Sequence, residues 1–227
     1  MKLLLLGDSL GYPRPDRSIL DEQTWNHLIT KILKKNKPDL DVFCYFTGGA
    51  HSKELLSMRI GGYLAAYDPD IVVLQVGIVD CASRAMSENM LKVVSVIPFI
   101  SRLVRMVIKK FHRQLLSIRN VHYVYPNEFR TNLVKLKESF SPAKFIVIPI
   151  APVTEEYIEF MPRVGENVEK YNRILEEVFG DSFLKELYKN FPAKDIVLED
   201  HHHLSILGHQ LVSKSVKHFL ESRNYLP

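Results

Sequence analysis

The sequence predicts an α/β domain: a three-layer α/β/α sandwich of flavodoxin-like topology, with a five-stranded parallel sheet in the order 2-1-3-4-5. Short apolar runs bounded by turn residues recur along the chain, as in strands buried on both faces. Stretches of helical period lie between them, which is how parallel strands are connected. The chain has 227 residues, 46% hydrophobic and 25% charged, a balance that suits one sizeable core. A single domain spanning 1–227 follows.

Strands are expected at 2–6, 41–46, 70–76, 144–150 and 195–198. The first carries four consecutive leucines, Leu3 to Leu6, and is too short for the core of a signal peptide. Between the first two strands, Leu20, Trp25, Leu28, Ile29, Ile32 and Leu33 share one face of a helix over 18–35, which Lys37-Pro38 terminates. A second crossover helix is expected over 53–67, although Gly61-Gly62 weakens it. A third covers 164–179. The last, over 205–222, begins at Ser205 as a hydroxyl cap. Residues 81–142 are too long for a simple crossover and read as a helical insertion or an extended crossover, with Arg102, Arg105, Lys109, Lys110, Arg113 and Arg119 among apolar positions.

The formal charge of +4 is spread over 30 basic and 26 acidic residues, so charge alone implies no nucleic-acid partner. No apolar run reaches the ~18 residues of a membrane span. Peripheral contact through the basic helix at 102–119 is the sharper reading of that segment, and a solvated outer face the plainer one. Two cysteines, Cys44 and Cys81, are too few for a disulfide framework and point to a reducing, cytoplasmic setting. Oligomeric state is left open.

The chemistry-bearing residues cluster at the carboxyl ends of the expected strands, where open α/β sheets bind ligands. They are Gly7-Asp8-Ser9-Leu10, Gly48-Gly49, Gly77 to Asp80, and Asp200 to His203. A serine hydroxyl becomes nucleophilic when an imidazole accepts its proton, and that imidazole needs a carboxylate to hold its tautomer. Ser9, His203 and Asp200 meet these needs, Asp200 lying one turn before the histidine. A developing oxyanion needs backbone N–H donors, for which the amides of Ser9 and Gly49 are the candidates. Asp8, Gly77 and Asp80 are candidate substrate contacts.

With these blocks in hand, the chain resembles the SGNH, or GDSL, hydrolase family over nearly its whole length. That resemblance implies the SGNH hydrolase fold, a catalytic triad of Ser9, Asp200 and His203, a carboxylic-ester substrate, an acyl-enzyme, and no cofactor. The third block departs from the pattern: Gly77-Ile78-Val79-Asp80 places valine where the family has an asparagine that donates to the oxyanion. Arg84, on the same loop, is the candidate replacement. This variant is similar to that of a bacterial subgroup associated with surface-polysaccharide biosynthesis, which implies deacetylation of an O-acetylated sugar or glycan precursor. A sugar O-acyltransferase and a catalytically weak glycan-binding or scaffold protein are the alternatives.

The run His201-His202-His203, with His209 beyond it, suggests a metal site. Adjacent side chains in an extended loop diverge, however, and no Cys or carboxylate cluster at ligand spacing accompanies them. One catalytic and two incidental histidines are expected, with no metal. His51 reads as a surface-loop residue and Cys81 as a packed thiol.

Overall fold

A computed structural model describes residues 1–84, 90, 104, 106, 108, 110, 111, 113–116 and 121–225. The sheet comprises β1 (Lys2–Gly7), β2 (Asp41–Phe46), β3 (Ile71–Gln75) and β4 (Lys144–Ile148), in the order β2-β1-β3-β4. All pairings are parallel, with Gly7 level with Phe46 on one side and with Gln75 on the other. Because β1 and β3 are central, both faces are covered and Leu3 to Leu6 have no exposed surface.

The two-residue period of a strand divides these leucines between two cores. Leu4 and Leu6 join Val72, Leu74 and Val147 under α2 (Ser52–Gly61), α4 (Pro126–Ser139) and α6 (Val164–Phe179). Leu3 and Leu5 join Val73, Ile146 and Ile148 under α1 (Trp25–Asn36) and α8 (Ile206–Ser222). A layer of helices thus lies on each face of the sheet. Shorter helices, α3 (Ile78–Cys81), α5 (Glu155–Phe160) and α7 (Ala193–Ile196), sit in the loops.

The expected fifth strand at 195–198 is not found among the described residues. Part of it is α7, and Val197 forms only an isolated antiparallel bridge to Leu204. Its place beside β4 is partly taken, since Leu184 N–H donates to the Val147 carbonyl at 2.9 Å. Several donors of 198–205 are used within their own hairpin-like loop, Leu198 N–H reaching the His203 carbonyl at 2.7 Å and Ser205 N–H the Ile196 carbonyl at 3.0 Å.

Helix starts and stops follow local chemistry. α1 begins at Trp25 rather than residue 18, because Ser18 is left-handed (φ 60°) and Pro15–Arg17 and Asp21–Gln23 form 3-10 turns. α2 stops at Gly61, short of the expected residue 67. The buried Arg59 there donates to the carbonyls of Leu64, Ala65 and Tyr67 in the following turn. α8 starts as expected, Ser205 Oγ accepting from Gly208 N–H at 3.2 Å.

Helix α4 lies inside the segment read as a helical insertion or extended crossover, and its Phe129, Leu133 and Leu136 are fully buried against the sheet. Of the basic residues in that segment, Lys110 and Arg113 are exposed, whereas Arg102, Arg105, Lys109 and Arg119 lie outside the described residues. No helix among the described residues is long and apolar enough to cross a membrane.

Candidate active site

Ser9 is delivered by the end of β1. Gly7 is needed there, because a Cβ would sit 2.6 Å from the Gln75 carbonyl of β3. Asp8 Oδ1 then accepts the Leu10 N–H at 2.9 Å and caps the 3-10 turn Ser9–Gly11. A Cβ on Gly11 would lie 2.3 Å from the Phe46 ring. The motif's glycines therefore let the turn press against β2 and β3 while its serine stays half-buried.

On the other side, the loop between α7 and α8 wraps around Asp200. Its Oδ1 accepts the N–H groups of His203 at 3.0 Å and His202 at 3.3 Å, and its Oδ2 lies 2.9 Å from His203 Nδ1. One carboxylate thus shapes the turn and orients the ring. Burial works against its ionisation, but the hydrogen bonds from the His203 ring and amide outweigh burial and hold the carboxyl well below the usual range. His203 Nε2 then stands 3.1 Å from Ser9 Oγ, across 194 positions of sequence. The structure brings together Ser9, His203 and Asp200 in the order that proton transfer needs.

The 47–50 turn closes on Ala50 N–H to Thr47 carbonyl, with Gly49 left-handed (φ 73°) and open space where a Cβ would point. Glycine is the residue that takes this conformation without strain. Tyr12 fastens this turn to the Ser9 turn: its hydroxyl donates to the Phe46 carbonyl at 3.0 Å and accepts the Gly48 N–H at 3.2 Å.

The third block is held from beneath. Gly77 has φ 126° and no room for a Cβ, which would lie 2.6 Å from Ile150 Cδ1. Asp80 is fully buried and accepts from Ser52 N–H at 2.9 Å and Ser52 Oγ at 2.6 Å, while Asn132 donates to the same hydroxyl at 3.1 Å. Asp8 is also fully buried, with no described partner for Oδ2. Burial raises Asp8 to about 7, the nearby Asp80 adding to it, and burial raises Asp80 to about 6 against the Ser52 hydrogen bonds.

A pH dependence follows from Asp8. The folded chain keeps a proton that the unfolded chain releases near pH 4, so stability falls as pH rises from about 4 to about 7 and is level above. Asp8→Asn mimics the protonated acid. It is expected to raise Tm at pH 8 by ~5 °C, on the order of 2 kcal/mol, and to give little gain at pH 4. Thermal melts at the two pH values test this; a shift independent of pH would refute it.

Among the described residues Arg84 makes no hydrogen bond to Ser9, His203 or Asp200. Its N–H donates to the Val121 carbonyl at 2.7 Å and its guanidinium lies 4.5 Å from the Tyr123 ring centroid. Among the described residues Arg14, which sequence reasoning missed, reaches this group: its Nη2 contacts His203 Nε2. The only hint was its place a few residues after the Gly-Asp-Ser turn.

Among the described residues, Asp200, His202 and His203 form a group of metal-type donors within 4.8 Å of one another. Each already makes hydrogen bonds within the loop, His202 Nδ1 lying 2.8 Å from the Asp200 carbonyl. His202 also packs on Tyr157 (5.6 Å, stacked), and His201 Nδ1 meets Thr154 Oγ1 at 2.9 Å. His51 is a buried helix cap rather than a surface residue, with Glu54 N–H reaching its Nδ1 at 3.4 Å. His209 accepts from Trp25 N–H at 3.2 Å, and burial lowers it to about 4, so it is a neutral packing group. Cys81 is buried, with its thiol on the Ile78 carbonyl and its pKa pushed up by burial. A groove of about 850 Å³ between Phe183, Leu187, Leu211 and Phe219 shares no residue with this site.

Comparison with known proteins gives no matching family model and no matching curated sequence. Solved structures do match. A lipase/acylhydrolase from Enterococcus faecalis is 16% identical with a TM-score of 0.67, over 98% of this chain and 96% of that one. TesA is 17% identical with a TM-score of 0.63, over 98% and 99%. A catalytic mutant of Axe2, an acetylxylan esterase from Geobacillus stearothermophilus, is 16% identical with a TM-score of 0.61, over 97% and 92%. Separate structures of that esterase replace a serine, an aspartate and a histidine, each described as a catalytic mutant. At these identities the likeness is one of fold, and it extends over nearly the whole chain.

Proposed function

We propose that this protein is a serine ester hydrolase whose triad is Ser9, His203 and Asp200. The observation that carries the reading is the continuous relay from Ser9 Oγ through His203 (3.1 Å) to Asp200 (2.9 Å). The fold it shares with acylhydrolases and an acetylxylan esterase supports it.

Ser9 Oγ attacks the ester carbonyl carbon and gives its proton to His203 Nε2, while the carbonyl π pair moves onto oxygen. The amides of Ser9 and Gly49 stabilise that oxyanion; among the described residues neither donates to a protein acceptor. Collapse breaks the C–O bond to the alcohol, which leaves with the proton from His203. Water then attacks the acyl-enzyme, with His203 taking its proton and returning it to Ser9 Oγ as the acid departs. Asp200 keeps the imidazole in the tautomer with its proton on Nδ1. Asp8, Gly77 and Asp80 brace the two loops from behind, given their burial. The chemistry requires no cofactor or metal.

The substrate class in this reading is an O-acetylated sugar or glycan precursor met in the cytoplasm. The resemblance of the third block supports it, as does the acetylxylan esterase among the structural neighbours. Incubation with 4-nitrophenyl acetate and a serine-directed phosphonate tests the reading. Acetate release with labelling at Ser9 is expected. Labelling with turnover only when an acceptor sugar is present would make the protein an acyltransferase, and no labelling would leave glycan binding alone.

A further inference from the structure

Arg14 stands at the site as a cation without an anion. The chain around it is stiff: Pro13 and Pro15 flank it, Arg14 N–H donates to the Ile19 carbonyl at 2.8 Å, and Ile19 N–H returns to the Arg14 carbonyl at 2.9 Å. Ile19 is buried and anchors this small hairpin. Arg17 ties it to the triad loop through Glu199 Oε2 at 3.0 Å. The backbone at Arg14 is thus held beside the loop that carries His203, and its guanidinium reaches that ring.

Among the described residues no carboxylate or carbonyl receives the Arg14 guanidinium, and its buried Nε has no partner. A guanidinium is always charged and its planar fork suits two oxygens of a carboxylate or phosphate. Here it has only the lone pair of His203 Nε2, the same lone pair that must receive the Ser9 proton. While Arg14 occupies it, the base is engaged.

We infer that Arg14 is a specificity-determining residue: it binds a carboxylate or phosphate carried by the ester substrate, and in doing so releases His203 Nε2 for Ser9. This rests on the esterase reading above and deepens it, narrowing the substrate to an anionic ester. A neutral ester leaves Arg14 on the histidine and turns over slowly.

The test compares the wild type with Arg14→Gln and Arg14→Lys on matched esters, measuring kcat and KM separately. 4-Nitrophenyl acetate is paired with 4-nitrophenyl hemisuccinate, and an O-acetyl glucose with an O-acetyl glucose 6-phosphate, so that carboxylate and phosphate are distinguished. The wild type should favour the anionic member of at least one pair by roughly 10- to 100-fold, the value of a charge-assisted contact. Arg14→Gln should erase that preference, raising KM for the anionic ester and raising kcat for the neutral one; Arg14→Lys should keep part of it. An unchanged preference, or an equal loss on both members of each pair, would overturn the inference.

Phosphonate labelling of Ser9 in the Arg14→Gln protein shows that the site is still assembled. If the wild type neither labels nor turns over, the esterase reading has failed. Calorimetric titration of the wild type and Arg14→Gln with glucose 6-phosphate and succinate then decides anion binding by itself: Arg14-dependent binding of either supports the anion site, and equal or absent binding refutes it.

Discussion

Replacing Ser9 by alanine is expected to cut ester turnover by roughly 10⁴- to 10⁶-fold, and His203→Ala by a similar factor, with the double variant little worse than either. The hydroxyl and imidazole act as one unit, because the nucleophile is weak without its base and the base has nothing to deprotonate without the nucleophile. Asp200→Asn should cost roughly 10⁴ by a different route. The asparagine oxygen can still accept from the amides of residues 202 and 203, so the loop survives, but its NH₂ then faces His203 Nδ1. The ring responds by placing its proton on Nε2, the nitrogen that must accept from Ser9. Steady-state kcat on 4-nitrophenyl acetate, with Tm showing that each variant is folded, checks the set. Full activity in Ser9→Ala would end the nucleophile proposal.

The centre of the sheet was readable because β1 and β3 are buried on both faces and so appear as unbroken apolar runs: Leu3 to Leu6, and Ile71 to Leu74. Residues 195–198 looked the same, but four residues are too few for an apolar run to separate a strand from a turn of helix. What decided the outcome was tertiary: Leu184 already engages β4 at Val147, and His203 offers Leu198 a local acceptor. The bounds of helix α4, inside the segment read as a helical insertion or extended crossover, were not legible for a related reason. Its Pro126 suits a first helical turn, yet the long basic segment before it drew attention to charge rather than to the buried stripe of Phe129, Leu133 and Leu136.

The site divides in the same way. Ser9, Gly49, Asp200 and His203 each sit in a short motif whose residue types are tied to one chemistry, so order along the chain was enough to nominate them. Arg14 belongs to no such motif. Its importance comes from a backbone bridge to Ile19 and from the approach of two loops separated by 189 positions, information that only the folded chain contains. Arg84 was nominated by proximity in sequence, and in the fold its guanidinium lies over the Tyr123 ring. Asp80 was nominated because it borders the site, and its burial against Ser52 shows how a polar residue at a loop can serve the loop itself.

The valine at position 79 leads to the second large effect. Val79 is the second residue of α3, held between Gly77, whose φ of 126° leaves no space for a side chain, and Asp80, fixed by Ser52. The backbone on both sides is therefore constrained, and a change at this position alters the side chain without rebuilding the loop. Valine presents only methyl groups, so the oxyanion has two amide donors in the proposed mechanism. Val79→Asn is expected to raise kcat on 4-nitrophenyl acetate by roughly 10²- to 10³-fold, the value of one added donor in such a hole, with KM little changed. It should cost about 1 kcal/mol of stability, since Val79 packs partly against the core. If Arg14 binds the substrate anion rather than the oxyanion, the gain from Val79→Asn should be of the same size in an Arg14→Gln background. A gain seen only after Arg14 is removed would instead make that guanidinium the resident third donor. No gain in either background would show that the developing charge lies elsewhere than between the Ser9 and Gly49 amides.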